Sequence, residues 1–387
     1  MNRRDFIKVM AGGTSVILVP SILNGCSDEN TDVWLEPWKG PVPDETDIRR
    51  IVLSYAILAP NPHNIQPWIV DLTGPASIDL YVDRSRLLPE TDPPARQIHI
   101  SHGTFLENLE LAARQYGYRA NIRYFPFGEY DNTMVDDKPV ASIDLVKDDS
   151  IKRDVLFDQI LRRQSNKSEY DETPLTSTEI AALQYFLKES DFSLTITSEA
   201  LIKQRMAEIL TEAMRIETAS KQRDAETIAM FRFDDEERRR YRDGFGVAQS
   251  GMSGVMKWAA ESFFLSREDA EKDSTNFGEQ AVDITTKQAL SAAAFGWITT
   301  ETNTRRDQVL CGRAYERVNL AATALGVAMH PMSQVLQEYA DMTQLQKHFR
   351  NELGIPAGQT VQMLFRLGKA ESVEHSPRRN IADLAKG

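Results

Sequence analysis

Pro60-Asn61-Pro62-His63-Asn64-Ile65-Gln66-Pro67-Trp68 is the stretch on which the reading of this chain turns. It follows a segment with apolar residues at Ile48, Ile51, Val52, Tyr55 and Leu58, the spacing of one helical face. It precedes Trp68-Ile69-Val70-Asp71-Leu72, which has strand character. The stretch is therefore a loop from helix to strand. Its prolines fix φ and remove backbone donors, so its path is stiff. Asn61, His63, Asn64 and Gln66 then stand at set places with amide and imidazole groups. A planar ligand with donors and acceptors on its edge, such as a flavin ring, suits such a loop. A polar turn whose side chains bond their own backbone is the plainer alternative.

Outward from the loop, Ile78–Val82 has strand character, Gln97–Tyr116 is helical, and Ala120–Phe125 and Ala141–Val146 are strands. The second half repeats the plan. Helices are expected at Val155–Leu161, Ser177–Phe186, Leu201–Ala219 and Asp307–Leu325, and strands at Phe192–Thr197, Ala293–Thr299 and Val361–Leu367. Residues 221–280 hold an acidic-then-basic run and several glycines, and are expected to form an insertion or lid. An internal echo supports duplication. Gly103, Glu107, Leu111-Ala112-Ala113 and Gly117 recur as Gly312, Glu316, Leu320-Ala321-Ala322 and Gly326, each 209 positions later. Both sets describe a helix with a small pair for close packing and a glycine at its C-terminal cap.

A second cluster, Arg162-Arg163-Gln164-Ser165-Asn166-Lys167, can hold a phosphate through a guanidinium fork, a point charge and a hydroxyl. A basic helix end balancing its dipole is the alternative. Arg378 and Arg379 would join it only if the tail folds back beside Arg163. His99 and His102 lie three apart on a helix without a Cys or Glu to complete a metal set, so no metal site is expected. No Gly-x-Gly-x-x-Gly follows a strand, which leaves a Rossmann site without support.

The formal net charge of −12 makes a nucleic-acid partner unfavourable. Arg3-Arg4-Asp5-Phe6 followed by Lys8 and an apolar run fits a twin-arginine export signal, a route for proteins that fold around a cofactor before leaving the cytoplasm. The run is interrupted by Gly12, Gly13 and Pro20 and is shorter than a bilayer span. Leu23-Asn24-Gly25-Cys26 has the look of a lipoprotein cleavage box, which would place an acyl chain on Cys26. Cys311 is then the remaining thiol, so no internal disulfide is expected. The division that follows is a signal over 1–26, a linker over 27–46, a first repeat over 47–150 and a second over 151–387 with its lid near 221–280.

Taken together, the motifs resemble the nitroreductase-like flavoproteins, in particular the Acg-type branch with two fused repeats, from about Asp47 to Arg379. Pro60 to Trp68 is similar to the family's Pro-Ser-x-x-Asn-x-Gln-Pro-Trp loop. Arg163-Gln164-Ser165-Asn166-Lys167 looks like its Arg-x-Ser-x-Arg/Lys phosphate motif. Gly326 to Gln334 resembles its turn leading to Pro331 beside the flavin, and Leu367-Gly368 with Arg378-Arg379 its last strand and basic tail. The resemblance implies an α+β fold of two fused repeats, an intrachain pseudo-dimer with antiparallel-type sheets flanked by helices. Ordinary members build two FMN sites from two chains; here each motif occurs once, implying one composite FMN site. Its expected cofactor-binding residues are Pro60, Asn61, Pro62, His63, Asn64, Gln66, Arg162, Arg163, Ser165, Lys167, Pro331, Ser333, Arg378 and Arg379. Pro62, Ser333 and Gln334 depart from the family pattern and put the usual substrate pocket in question. The implied function is that of an exported FMN-dependent oxidoreductase of the periplasm or cell envelope, passing electrons to a small-molecule acceptor. Its donor is a quinol or a redox-protein partner, and no catalytic acid or base is assigned. The rivals are a non-catalytic FMN holder under a lid, and a lipid-anchored scaffold without cofactor.

Overall fold

A computed structural model describes residues 33–187, 192–252, 257 and 266–386. The stretch expected to be an export signal, with Cys26, lies outside these residues. Eight strands among them form two four-stranded sheets. The first contains β1 (Trp68–Gly74), β2 (Ser77–Val82), β3 (Tyr118–Tyr124) and β4 (Ala141–Lys147), in the order β1-β2-β4-β3. The second contains β5 (Ser193–Thr197), β6 (Ala294–Thr300), β7 (Ala328–Pro331) and β8 (Thr360–Gly368), in the order β5-β6-β8-β7. Every pairing is antiparallel. Both sheets thus run first, second, fourth, third, and the architecture is α+β with one plan used twice.

The helices follow the same rule. α1 (Ile48–Ala56) precedes β1, and α2 (Arg96–Gln115) connects β2 to β3. α3 (Ser177–Tyr185) precedes β5, and α9 (Arg305–Ala324) connects β6 to β7. Side-chain caps start α1, α3 and α9: Asp47 accepts from the Arg49 amide, while Thr176 with Glu179 and Thr304 with Asp307 form capping boxes. α2 and α9 pack against each other at the centre, touching at Gly103 and Gly312. Glu107 on α2 reinforces the contact by accepting from Arg313 (2.8 Å) and Arg317 (2.6 Å) on α9. One apolar core runs through both halves, from Val52, Leu80, Phe105 and Leu109 to Val309, Val318 and Leu367. The repeats therefore cannot be separated without opening that core.

The second repeat is larger because 96 residues separate β5 from β6 where a tight turn joins β1 to β2. This stretch carries α4 (Ala200–Thr218), α5 (Lys221–Met230), α6 (Asp235–Tyr241), α7 (Arg267–Lys272) and α8 (Ser274–Leu290). α4 and α8 cover the outer face of the second sheet through Met206, Leu210, Ala289, Phe295 and Trp297. The expected lid boundary near residue 280 therefore falls inside α8, which is framework. Three further differences stand out. Val155–Leu161 is no α-helix; it tightens into the 3-10 turn Phe157–Gln159, which buries Leu156, Ile160 and Arg163 together. The stretch taken as a linker is docked from Trp34 onward, with Trp34 and Trp38 only 2% and 8% exposed. β7 and α10 (Thr343–Glu352) were not expected.

Candidate cofactor site between the repeats

The Asn61–Gln66 loop is strained and clamped. His63, Asn64 and Gln66 all adopt positive φ, at 47°, 54° and 53°. Residues other than glycine pay roughly 1–3 kcal/mol each for such conformations. Hydrogen bonds hold the path. The Asn61 side chain accepts from the Gln66 amide (2.7 Å) and donates to the Ala59 carbonyl (3.1 Å). Arg378 donates to Asn64 Oδ1 (2.5 Å) and to the carbonyls of Leu58 (3.1 Å) and Ala59 (3.3 Å). Arg379 grips the other end, its amide on Gln66 Oε1 (2.8 Å) and its guanidinium on the carbonyls of Gln66 and Trp68. Asn61, Asn64 and Gln66 therefore build the loop's own shape, the plainer of the two readings of their amides. Arg379 belongs to this scaffold, facing Asp83 at 3.8 Å.

The phosphate motif meets the loop directly. Arg163 is 2% exposed and donates to the Leu58 carbonyl at 2.9 Å, the same oxygen that Arg378 reaches. Two guanidinium groups thus share one acceptor, and through Arg378 the motif is tied to Asn64. Arg163 Nε lies 3.6 Å from Glu316 Oε1. Glu316 is the repeat counterpart of Glu107, yet it lacks Glu107's hydrogen-bonded arginines: it is fully buried beside Arg163 and the side-chain amides of Asn108 and Asn319. Burial raises its carboxyl to about 8. Arg162, by contrast, is exposed and reaches only Gln159. The turn at Phe157–Gln159 directs one of the two adjacent arginines inward and the other to solvent, so Arg162 is not brought together with Arg163 and Arg378.

Lys167 and His63 form a wall. The Lys167 ammonium sits 3.8 Å above the centre of the Phe245 ring, and the His63 ring meets Phe245 edge-on at 5.7 Å. Burial pulls Lys167 down to about 8, and burial with the nearby Lys167 charge pulls His63 down to about 4. Both side chains nevertheless keep some exposed surface. Ser165, Pro60's neighbours Asn61 and Pro62, and Pro331 are likewise half-buried. The Asn166 amide donates to the Met329 carbonyl (3.4 Å), which brings β7 and Pro331 alongside the motif. Ser333 turns its hydroxyl toward the Leu364 carbonyl (3.4 Å), leaving Gln334 Oε1 beside it buried and unpartnered.

One element of the site was not anticipated residue by residue. The segment Arg242–Gln249 lies against the loop and the motif at once. Gly244 donates to the Asn64 carbonyl (3.1 Å) and accepts from Asn64 Nδ2 (2.8 Å), while Gln66 donates to the Arg242 carbonyl (2.8 Å). The Lys167 amide donates to the Gln249 carbonyl (2.8 Å). Asp243 anchors the segment to Arg86 (2.6 Å) and Arg232 (2.5 Å). Its glycines were the available signal. A Cβ on Gly244 would stand 2.3 Å from the Met230 carbonyl oxygen, so only glycine permits this approach.

The donor set fits an anionic, hydrogen-bonding ligand. Arg163 Nε and Nη1, Arg378 Nε and His63 Nδ1 are buried without hydrogen-bond partners among the described residues. Native proteins rarely leave such groups unmet. His99 and His102 take no part. His99 bridges the Ala95 carbonyl and the Tyr130 hydroxyl, and His102 bridges the carbonyls of Ile98 and Tyr81. No group of three or more possible metal ligands occurs among the described residues.

A sequence profile described as the nitroreductase family matches residues 160–369. A Mycobacterium tuberculosis protein provisionally named NAD(P)H nitroreductase acg is 24% identical over 349 residues, covering 86% of this chain and 92% of that one. A second from the same organism, provisionally named NAD(P)H nitroreductase Rv3131, is 26% identical over 361 residues, with 89% and 94% covered. Among solved structures, the FMN-dependent nitroreductase NfnB of Mycobacterium smegmatis in complex with NADPH aligns with a TM-score of 0.37 and 17% identity, over 59% of this chain and 96% of that one.

Proposed function

The chain belongs to the nitroreductase family, and from that premise we propose that it is an FMN-dependent oxidoreductase with one flavin held between its two repeats. The observation that carries the proposal is the meeting of Arg163 and Arg378 on the Leu58 carbonyl, with Arg163 Nη1 and Arg378 Nε buried and without a hydrogen-bond partner. Those guanidinium groups, with the Ser165 hydroxyl, would hold the phosphate by charge-assisted hydrogen bonds. Lys167 and His63 would flank the ring. Lys167 stays largely cationic at neutral pH and suits a ring edge that gains negative charge, whereas His63 is neutral and offers a donor or acceptor. Pro331 would supply the rigid wall at the other edge. Bound FMN would supply hydride and electron transfer, the protein supplying orientation and electrostatics. The single site follows from motif count: the loop comes from the first repeat, and the motif and tail from the second.

The relatives' names support a reduced nicotinamide as donor. Export through the twin-arginine route, with or without an acyl chain at Cys26, would instead favour a quinol or a redox protein in the periplasm or envelope. Replacing Arg3 and Arg4 by lysine should hold the protein in the cytoplasm; unchanged export would remove that part of the proposal. The flavin assignment is tested by stoichiometry on protein isolated from cells. One FMN per chain is expected, and colourless protein that binds no FMN would overturn it.

A second reading, a non-catalytic FMN holder, is favoured by the Arg242–Gln249 segment, which packs on the loop where an acceptor would approach. Anaerobic reduction followed by mixing with quinones or nitroaromatics separates the two. Rapid reoxidation supports the enzyme; reoxidation by oxygen alone supports the holder.

A further inference from the structure

Trp38 lies outside every motif discussed so far, yet it stands over the cationic pair. The Arg378 guanidinium is 4.9 Å and that of Arg163 5.7 Å from its ring. His375 stacks on the indole at 3.9 Å with an interplanar angle of 15°. Trp38 Nε1 donates to the Ser376 carbonyl at 2.9 Å, and the Arg378 amide donates to the Trp34 carbonyl at 2.9 Å. The turn Glu36–Lys39 that carries Trp38 ends at Gly40, whose φ of 85° turns the chain back over Tyr55. Trp38 and Arg378 are thus held by the same few residues, with Ser376 accepting from both.

We propose that Trp38, backed by His375, is the closing side chain of the anion site and sets how long a phosphate-bearing ligand stays there. This rests on the FMN reading and deepens it. An indole over two guanidinium groups attracts their charge through its π face and keeps water from them. Excluding water strengthens the attraction between those groups and a phosphate. His375 serves as a backing plate because it is neutral: burial, then the charges of Arg163 and Arg378, pull it down to about 3. A third cation on that stack would repel the pair it covers. The wall belongs to the segment directly after the proposed leader, so enclosure is completed only when residues 33–40 dock.

The experiment compares wild type, Trp38→Ala and Trp38→Leu for FMN release, followed by the return of flavin fluorescence after dilution, and for riboflavin affinity. FMN release is expected to be at least tenfold faster in both variants, with riboflavin affinity changed less than twofold, since riboflavin has no phosphate. Leu keeps apolar volume and loses the aromatic face, so it reads the proposal even if the Ala variant fails to fold. Unchanged FMN release, or equal weakening of FMN and riboflavin, overturns the proposal. A wild-type chain that binds no FMN sinks the parent reading; a wild type that binds FMN with unaltered release in both variants sinks this one alone.

Discussion

Gly103 and Gly312 stand face to face where α2 crosses α9, and each is barred from carrying a side chain by the other's helix. A Cβ on Gly103 would lie 1.8 Å from the Val309 carbonyl oxygen; a Cβ on Gly312 would lie 1.8 Å from that of Ile100. Gly103 and Ile100 are each 209 positions before Gly312 and Val309, so the clash repeats under the symmetry that relates the repeats. Gly→Ala normally stabilises a helix interior by about 1 kcal/mol. Here the sign should invert. Gly103→Ala or Gly312→Ala is expected to cost about 3 kcal/mol or more by forcing the helices apart. Denaturant unfolding checks it, and a variant as stable as wild type would rule out so close a crossing.

Adjacent arginines should behave oppositely. Arg163→Ala removes a buried guanidinium that meets the loop, and FMN content is expected to fall at least tenfold. Arg162→Ala touches an exposed side chain and should leave flavin content within twofold of wild type. Absorbance of the purified proteins, measured beside their melting temperatures, separates lost binding from lost folding.

Three buried carboxyls should make the fold less stable as pH rises. Burial raises Asp92 and Glu217 to about 7 and Glu316 to about 8. A carboxyl raised on folding contributes stability that is complete below its unfolded value and is lost as pH climbs through its folded one. These three therefore weaken the fold as pH rises from about 4 up to 7 for Asp92 and Glu217 and up to 8 for Glu316, each by up to about 1.4 kcal/mol per pH unit. His63, lowered to about 4, acts in the other direction: its contribution is present above 6.5 and lost as pH falls toward 4. Melting temperature is expected to decline from pH 6.5 to 8, with a shallower decline for Glu316→Gln. A flat profile would contradict the burial of these groups.

Asp243 is the pin of the Arg242–Gln249 segment. Asp243→Ala would leave Arg232 buried without its carboxylate and release Arg86, a loss of about 3–5 kcal/mol for a broken buried pair. Trypsin should then cut within residues 232–242 at concentrations that leave wild type intact. If cleavage is unchanged, the segment is held by Gly244 and Phe245 rather than by charge.

Much of the framework could be read from spacing. Apolar periods placed the strand cores and α2, α4 and α9, and the displaced echo pointed to duplication, though not to the helix crossing that Gly103 and Gly312 allow. The misses share a cause: their partners are distant in the chain. Trp34 and Trp38 sit in a segment without apolar period, yet they bury against His375, Ser376 and Arg378. α10 is ten residues long and holds two apolar residues, Leu345 and Phe349, one turn apart, too short a stripe to stand out in the sequence. Arg162 and Arg163 are chemically equivalent until a 3-10 turn chooses between them. Asn64 and Gln66 were correctly seen as a dense set of amides, but their acceptors at Gly244 and Arg242 lie in an insertion that local pattern cannot connect to the loop.

The clamp on the loop also bears on the order of events during synthesis. Asn64 is fastened by Arg378, 314 positions downstream, and Gln66 by Arg379. With three left-handed residues to hold, the loop gains nothing from adopting its native path before those arginines emerge. A ribosome must pass codon 379 before the first repeat can finish this loop. Any ligand that this loop takes under the proposed function would then be captured after translation, as a closing act of folding.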